Sequence, residues 1–139
     1  MQKIRDDRGW GLHNIFPLVA DHWTAGQINL SETYPGVIRA YHRHHNQTDY
    51  WRVLKGSLEV RLYNPPDRGL SDMPVHSSIY LSDPSEMLEI PPLIWHGFRV
   101  LGNESAILLY YVTNEYNPRK PDEERMAWDT FGPWETEFK

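Results

Sequence analysis

Apolar and polar residues alternate with a period of two through the middle of the chain. In Leu58-Glu59-Val60-Arg61-Leu62-Tyr63, the Leu58, Val60 and Leu62 side chains fall on one side, and Glu59 and Arg61 on the other. Successive residues of an extended strand point to opposite faces, so this pattern predicts a strand with one buried face. Lys55-Gly56-Ser57 is a turn signal, and Tyr50 to Leu54 before it reads as the hairpin partner. Further strands are predicted from Val37 to His44, Ile79 to Ser82, Met87 to Ile90, Gly97 to Leu101 and Ala106 to Thr113. Turn-rich segments such as Asn64 to Gly69 and Ser82 to Ser85 separate them. One helix is expected, from Asp122 to Ala127 after Pro121. The last stretch, Thr130 to Lys139, carries Trp134 and Phe138 and is expected to dock on the main body or on a partner chain, or to fray. Many short strands at regular spacing argue for an all-β sandwich or barrel.

Composition narrows this reading. The chain has 139 residues, enough for one domain with a real core, and its 11 Pro and 9 Gly suit a fold of frequent turns. Without cysteine there is neither a disulfide framework nor a zinc–thiolate site. A net charge of −5 argues against a nucleic-acid partner but allows a small anionic ligand held by a few arginines. The opening MQKIRDDRGW has no apolar stretch after its basic residues, so no secretory signal is expected. No apolar run is long enough to span a membrane. A cytoplasmic protein is the expectation.

The chemistry gathers around histidine. Gly36, His42, His44, Asp49 and Gly56 fit the spacing of the first cupin signature, with Asp49 where a Glu is usual. Pro91-Pro-Leu-Ile-Trp-His96 fits the second signature, with Leu93 in place of its Gly. Residues two apart on a strand share a face, so His42 and His44 point the same way. If that face looks inward, Asp49 and His96 join them from neighbouring strands. Such a set of His42, His44, Asp49 and His96 suits Zn, Fe, Ni, Mn or Cu. His45 is read as surface, and His13, His22 and His76 are given no role.

Further motifs occur in order along most of the chain. They are Asp7-Arg8-Gly9-Trp10, Gln27-Ile-Asn29-Leu-Ser31, Val37-Ile-Arg39-Ala-Tyr-His42, Ile90-Pro91 through His96-Gly97-Phe98, and Leu109-Tyr110-Tyr-Val-Thr113-Asn114-Glu-Tyr116-Asn-Pro118. From about Asp6 to Asp129 the sequence resembles the dTDP-4-dehydrorhamnose 3,5-epimerase family of RmlC-like cupins. The resemblance implies a β jelly-roll barrel. It divides residues 1–139 into a single cupin domain with its core at about 27–116, an N-terminal strand and a C-terminal tail flanking it. It further implies a nucleotide-sugar epimerase or isomerase of polysaccharide biosynthesis. Such an enzyme acts on a dTDP-4-keto-6-deoxyhexose by removing a proton beside the ketone, with no redox cofactor. His42 matches the family's base and Tyr110 its acid. Gln27 and Arg39 match positions that hold the diphosphate, and His96 lies in the same substrate site. Arg8 and Trp10 match a segment that reaches the nucleotide from the other subunit of a homodimer, and Tyr116 matches a residue near the nucleotide. Arg39 and His42, three apart, face opposite sides of an ideal strand, so a bulge or a shared dimer interface is needed to reconcile them.

Three departures from the family pattern bear on the chemistry. The Asp that orients the family's base, in a segment like L-S-x-K-D, has no counterpart before Lys139. A family Lys aligns with Asp49, and a Gln with His44. Two arrangements accommodate these changes. Asp49 replaces the absent carboxylate as partner of His42, or a divalent metal sits among the histidines. Two other classes stay open beside the epimerase. One is a metal-dependent cupin such as a small-molecule dioxygenase, and the other a non-catalytic sugar-binding cupin.

Overall fold

The computed structural model describes residues 3–12, 26–114 and 117–134. Its regular structure is almost entirely β. The strands are β1 (Lys3–Asp6), β2 (Gly9–Leu12), β3 (Gln27–Thr33), β4 (Ile38–Arg43), β5 (Asp49–Lys55), β6 (Ser57–Tyr63), β7 (His76–Leu81), β8 (Leu88–Ile90), β9 (Trp95–Leu101), β10 (Ala106–Val112) and β11 (Glu124–Arg125). Among the described residues a 3-10 turn covers Pro66–Arg68. Among the described residues no helix is long and apolar enough to cross a membrane.

Two antiparallel sheets face each other, one in the order β3-β10-β5-β8 and the other in the order β11-β4-β9-β6-β7. β1 and β2 form a separate hairpin. This is the expected jelly roll. Leu58, Val60 and Leu62 of β6 point inward as their alternation requires, and meet Trp51, Val53, Phe98, Val100 and Leu108 in the main core.

The outer face of the second sheet is not left to water. Glu59 on that face is buried, with Arg99 and Arg61 beside its carboxylate. The C-terminal segment supplies the cover. Trp134 stacks on Tyr41 and lies under the Arg61 guanidinium, and Phe131 meets Tyr41 and Tyr63. Of the three fates expected for the last stretch, docking on the barrel describes residues up to Trp134, and Phe138 lies outside the described residues.

The helix expected from Asp122 to Ala127 is not formed. Glu124 and Arg125 pair with Arg43 and His42 as an edge strand, and Met126 exchanges two backbone hydrogen bonds with Tyr41. The charged run had suggested a helix, but a few residues cannot nucleate one against an available sheet edge. Strand β3 was hidden for the opposite reason. Its polar residues Gln27, Asn29 and Ser31 sit opposite Val112, Tyr110 and Leu108 and so face inward, while Ile28 and Leu30 are exposed. The usual inside-out pattern is inverted because this strand borders a cavity.

A bulge in β4 positions the site. Arg39 lies opposite Phe98 and His42 opposite His96, so three steps on β4 match two on β9. The extra residue turns Arg39 and His42 to one side. Gly97 makes the bulge possible. A Cβ there would lie 2.3 Å from the Ala40 Cβ and 2.8 Å from its Cα. Gly97→Ala is therefore predicted to destabilise the fold by about 1–3 kcal/mol. A urea denaturation midpoint equal to or above that of the parent would contradict this.

Candidate active site

The cavity between the sheets has a volume of about 730 Å³ and is lined on one side by β3. β4 and the residue after it bring His42 and His44 to it, β5 brings Asp49 and Trp51, β9 brings His96, and β10 brings Tyr110. Because of the bulge, Arg39 lines the same cavity as His42. Gln27, Asn29 and Ser31 form a polar stripe along one wall, with the Gln27 amide donating to Asn29 Oδ1 at 2.9 Å.

Each histidine is held by a specific partner. A carbonyl oxygen can only accept, so its neighbour must donate. His44 Nδ1 lies 2.6 Å from the Asp122 carbonyl oxygen, and His96 Nδ1 lies 3.0 Å from that of Ile94. Both rings therefore carry their proton on Nδ1 and present a bare Nε2. Those two atoms flank Asp49, with His44 Nε2 4.0 Å from Oδ1 and His96 Nε2 4.0 Å from Oδ2. The Asp49 carboxylate is itself fixed. Oδ1 accepts from Gln47 Nε2 at 2.7 Å and Oδ2 from Trp51 Nε1 at 3.1 Å.

His42 stands apart. Its ring meets that of His96 edge-on, with centroids 5.0 Å apart. Its Nδ1 is 3.6 Å from Glu123 Oε1, an ion-pair distance rather than a hydrogen bond. Asp49 is thus placed between His44 and His96, and the carboxylate nearest His42 is Glu123, which corrects the pairing of Asp49 with His42. The sequence reading missed Glu123 and Asp122 because both lay inside the segment assigned to a helix. The acidic run Asp122 to Glu124 after Pro121, matched by the basic run His42 to His45, was the available signal.

Burial sets the protonation states. Desolvation lowers His42 from 6.5 to about 4; His96 and His44 add to the drop, while Glu123 and Asp49 oppose it. His96 also falls to about 4, chiefly from burial. Both are neutral at pH 7. Tyr110 is pushed above its ordinary value by burial and by Asp49, with Arg39 opposing, so its phenol keeps its proton.

The remaining sequence candidates lie elsewhere. Arg8 is exposed in the turn of the β1–β2 hairpin and pairs with Asp6 at 2.6 Å. Trp10 belongs to β2, but its side chain and all of Tyr116 lie outside the described residues. His45 is exposed as expected and forms a short contact with Glu124.

The donor set suits a divalent metal. The ligand atoms of His44, Asp49 and His96 lie within 4.8 Å of one another. Two ligands bound at about 2.1 Å to one ion at a tetrahedral angle are roughly 3.4 Å apart, so the side chains must close by up to roughly 1.4 Å to complete the group. His42 is not part of that group.

Comparison with known proteins gives a consistent picture. The family described as polysaccharide biosynthesis C-terminal domain matches residues 5–124. The spore coat polysaccharide biosynthesis protein SpsL of Bacillus subtilis is 37% identical, covering 100% of this chain and 94% of its own. The probable low-salt glycan biosynthesis epimerase Agl13 of Haloferax volcanii is 36% identical, covering 93% of this chain and 84% of its own. Among solved structures, a dTDP sugar isomerase from Desulfovibrio desulfuricans superposes with a TM-score of 0.76 at 26% identity. That match covers 96% of this chain and 85% of the other.

The lowered histidines make stability depend on pH. Between about pH 6.5 and 4 the unfolded chain binds protons at His42 and His96 that the folded chain refuses. Stability is therefore full above pH 6.5 and falls as the solution is acidified toward pH 4, by up to about 1.4 kcal/mol per pH unit for each histidine. Denaturation midpoints in EDTA should drop across that window. A flat profile from pH 7 to 4.5 would contradict the assignment.

Proposed function

The chain belongs to the polysaccharide biosynthesis C-terminal domain family, with the fold of the RmlC-like sugar epimerases and isomerases, and from that premise we propose the following reaction. It is an epimerase or isomerase that abstracts a proton beside the ketone of a dTDP-4-keto-6-deoxyhexose. The observation that carries this reading is the meeting of His42, Tyr110 and Arg39 in one cavity.

His42 is neutral at pH 7 and can accept the α-proton. Glu123 beside its Nδ1 favours the imidazolium as it forms. The electrons of the broken C–H bond move into an enolate. Tyr110, still protonated, is suited to return a proton, to the opposite face of the same carbon in epimerisation. Return to a neighbouring carbon instead gives an isomerised ketone. The Arg39 fork and the Gln27 amide, on the same side as the base, suit diphosphate oxygens. His44, Asp49 and His96 would hold a divalent metal, which supplies positive charge to polarise the keto oxygen in place of the family's Lys.

The same reading takes the enzyme as cytoplasmic and homodimeric, with no nucleic-acid or membrane partner. Arg8 is exposed, pairs with Asp6 and does not line the cavity, so in this reading it serves the nucleotide of a second subunit. A monomer by light scattering removes that role. A second reading, a metal-dependent cupin of another class, is favoured by the two-histidine, one-carboxylate set, which also suits oxygen-activating iron. Oxygen consumption with bound iron would identify it.

The test is incubation with dTDP-4-keto-6-deoxyglucose in D₂O, followed by proton NMR. The C3 or C5 signal should disappear, and the product shows whether the sugar was epimerised or isomerised. His42→Gln should slow the exchange about 10²- to 10⁴-fold. Tyr110→Phe should leave proton removal and suppress the inverted product. No exchange with the parent protein would overturn the reading.

A further inference from the structure

We propose that the site is bipartite, with a divalent cation held by His44, Asp49 and His96 alone and His42 kept out of its coordination shell, paired instead with Glu123. This deepens the proposed reaction and rests on it only for the role of His42.

The sequence spacing groups all four residues, but the geometry divides them. The separation lies in where the ligand atoms sit, not in the distance between rings. The His42 ring is nearer to His96, at 5.0 Å, than the His44 ring is, at 5.7 Å. Yet His42 meets His96 edge-on at 70°, and its Nδ1 faces Glu123 rather than Asp49. The three remaining donors converge. His44 and His96 both spend Nδ1–H on a backbone carbonyl, which leaves each Nε2 with a lone pair, 4.0 Å from one of the two oxygens of Asp49. Metal-ligating histidines and carboxylates are usually fixed by such outer hydrogen bonds. Here all three donors have one, since Gln47 and Trp51 hold Asp49.

The donors are also rigidly mounted. Asp49 opens β5, His96 lies in β9, and both are almost fully buried. Two neutral imidazoles and one carboxylate leave a dication with a net charge of +1. Three protein donors leave coordination positions open for an oxygen ligand. That set suits Zn, Mn, Fe(II) or Ni rather than Mg or Ca.

The division has a functional consequence. A histidine whose lone pair is given to a metal cannot accept a proton. With His42 outside the shell, one cavity can hold both a Lewis acid and a free base.

The test measures Zn²⁺ and Mn²⁺ binding to the EDTA-treated full chain, by calorimetry and elemental analysis, without sugar. One ion per chain is expected. Outer-shell changes at metal sites typically cost 10- to 100-fold, so loss of a ligand in His44→Gln or Asp49→Asn should weaken binding by at least about 100-fold. His42→Ala should leave affinity within about threefold. Far-UV circular dichroism confirms that each variant is folded, and Asp49→Asn, being isosteric, keeps the test valid if a histidine variant is not. The proposal is overturned if His42→Ala weakens binding as much as the others, or if the folded parent takes up neither ion. Exchange of sugar protons by metal-free protein would then leave the reaction standing without this site. Binding with the expected pattern but no exchange would keep the site and remove the reaction.

Discussion

Three consecutive carboxylates grip the histidine run, and the geometry of the cavity depends on that grip. The Asp122 carboxylate accepts the backbone N–H groups of His45, Asn46 and Gln47 at 2.8 to 3.2 Å, while its own carbonyl takes the His44 Nδ1 proton. Glu123 faces His42, and Glu124 pairs with Arg43 and His45. Hydrogen bonds to a charged group contribute about 1.5–3 kcal/mol each, so the contacts of Asp122 offset much of the cost of ordering a short loop. The segment is set in register by β11 pairing on β4 and by the backbone exchange between Met126 and Tyr41. Trp134 and Phe131 then anchor it from behind.

The barrel interior is divided by chemistry. At one end Leu58, Val60, Leu81 and Val100 pack without polar atoms. Toward the other, Trp51 forms the boundary. Its ring meets Phe98 on the apolar side and His96 on the polar side, and its N–H holds Asp49. The apolar end is what allows buried histidines at all. It fixes β5 and β9 firmly enough that the cost of taking imidazoles out of water is offset by burial elsewhere, and they stay neutral. Function therefore sits where the packing rules are relaxed, at an inverted strand and a bulge.

Much of this was legible before any coordinates. Period-two alternation located the central strands within a residue or two at most ends, because one face of each is buried and the other is not. The motif order pointed to the family, and the histidine spacing brought His42, His44, Asp49 and His96 to one cavity. The need for a bulge between Arg39 and His42 followed from strand geometry alone. Three things were not legible. β3 carries its polar residues inward, which defeats a pattern search that assumes an apolar interior. β11 is two residues long and exists only because β4 offers an edge. The partner of His42 is 81 positions away in sequence, and no local signal distinguishes Glu123 from its acidic neighbours. Asp49 as the partner of His42 was one of two arrangements the sequence allowed, and strand pairing instead brings Glu123 beside His42.

The central claim is that backbone carbonyl acceptors fix the His44 and His96 imidazoles with their protons on Nδ1, while His42 stands beside Glu123. Long-range proton–nitrogen NMR of the metal-free protein at pH 7 reads each tautomer directly. The account predicts the Nδ1–H form for His44 and His96, with Glu123→Gln disturbing the His42 signals and leaving those two unchanged. Finding His44 or His96 with its proton on Nε2, or either of them shifting along with His42 in Glu123→Gln, would contradict it.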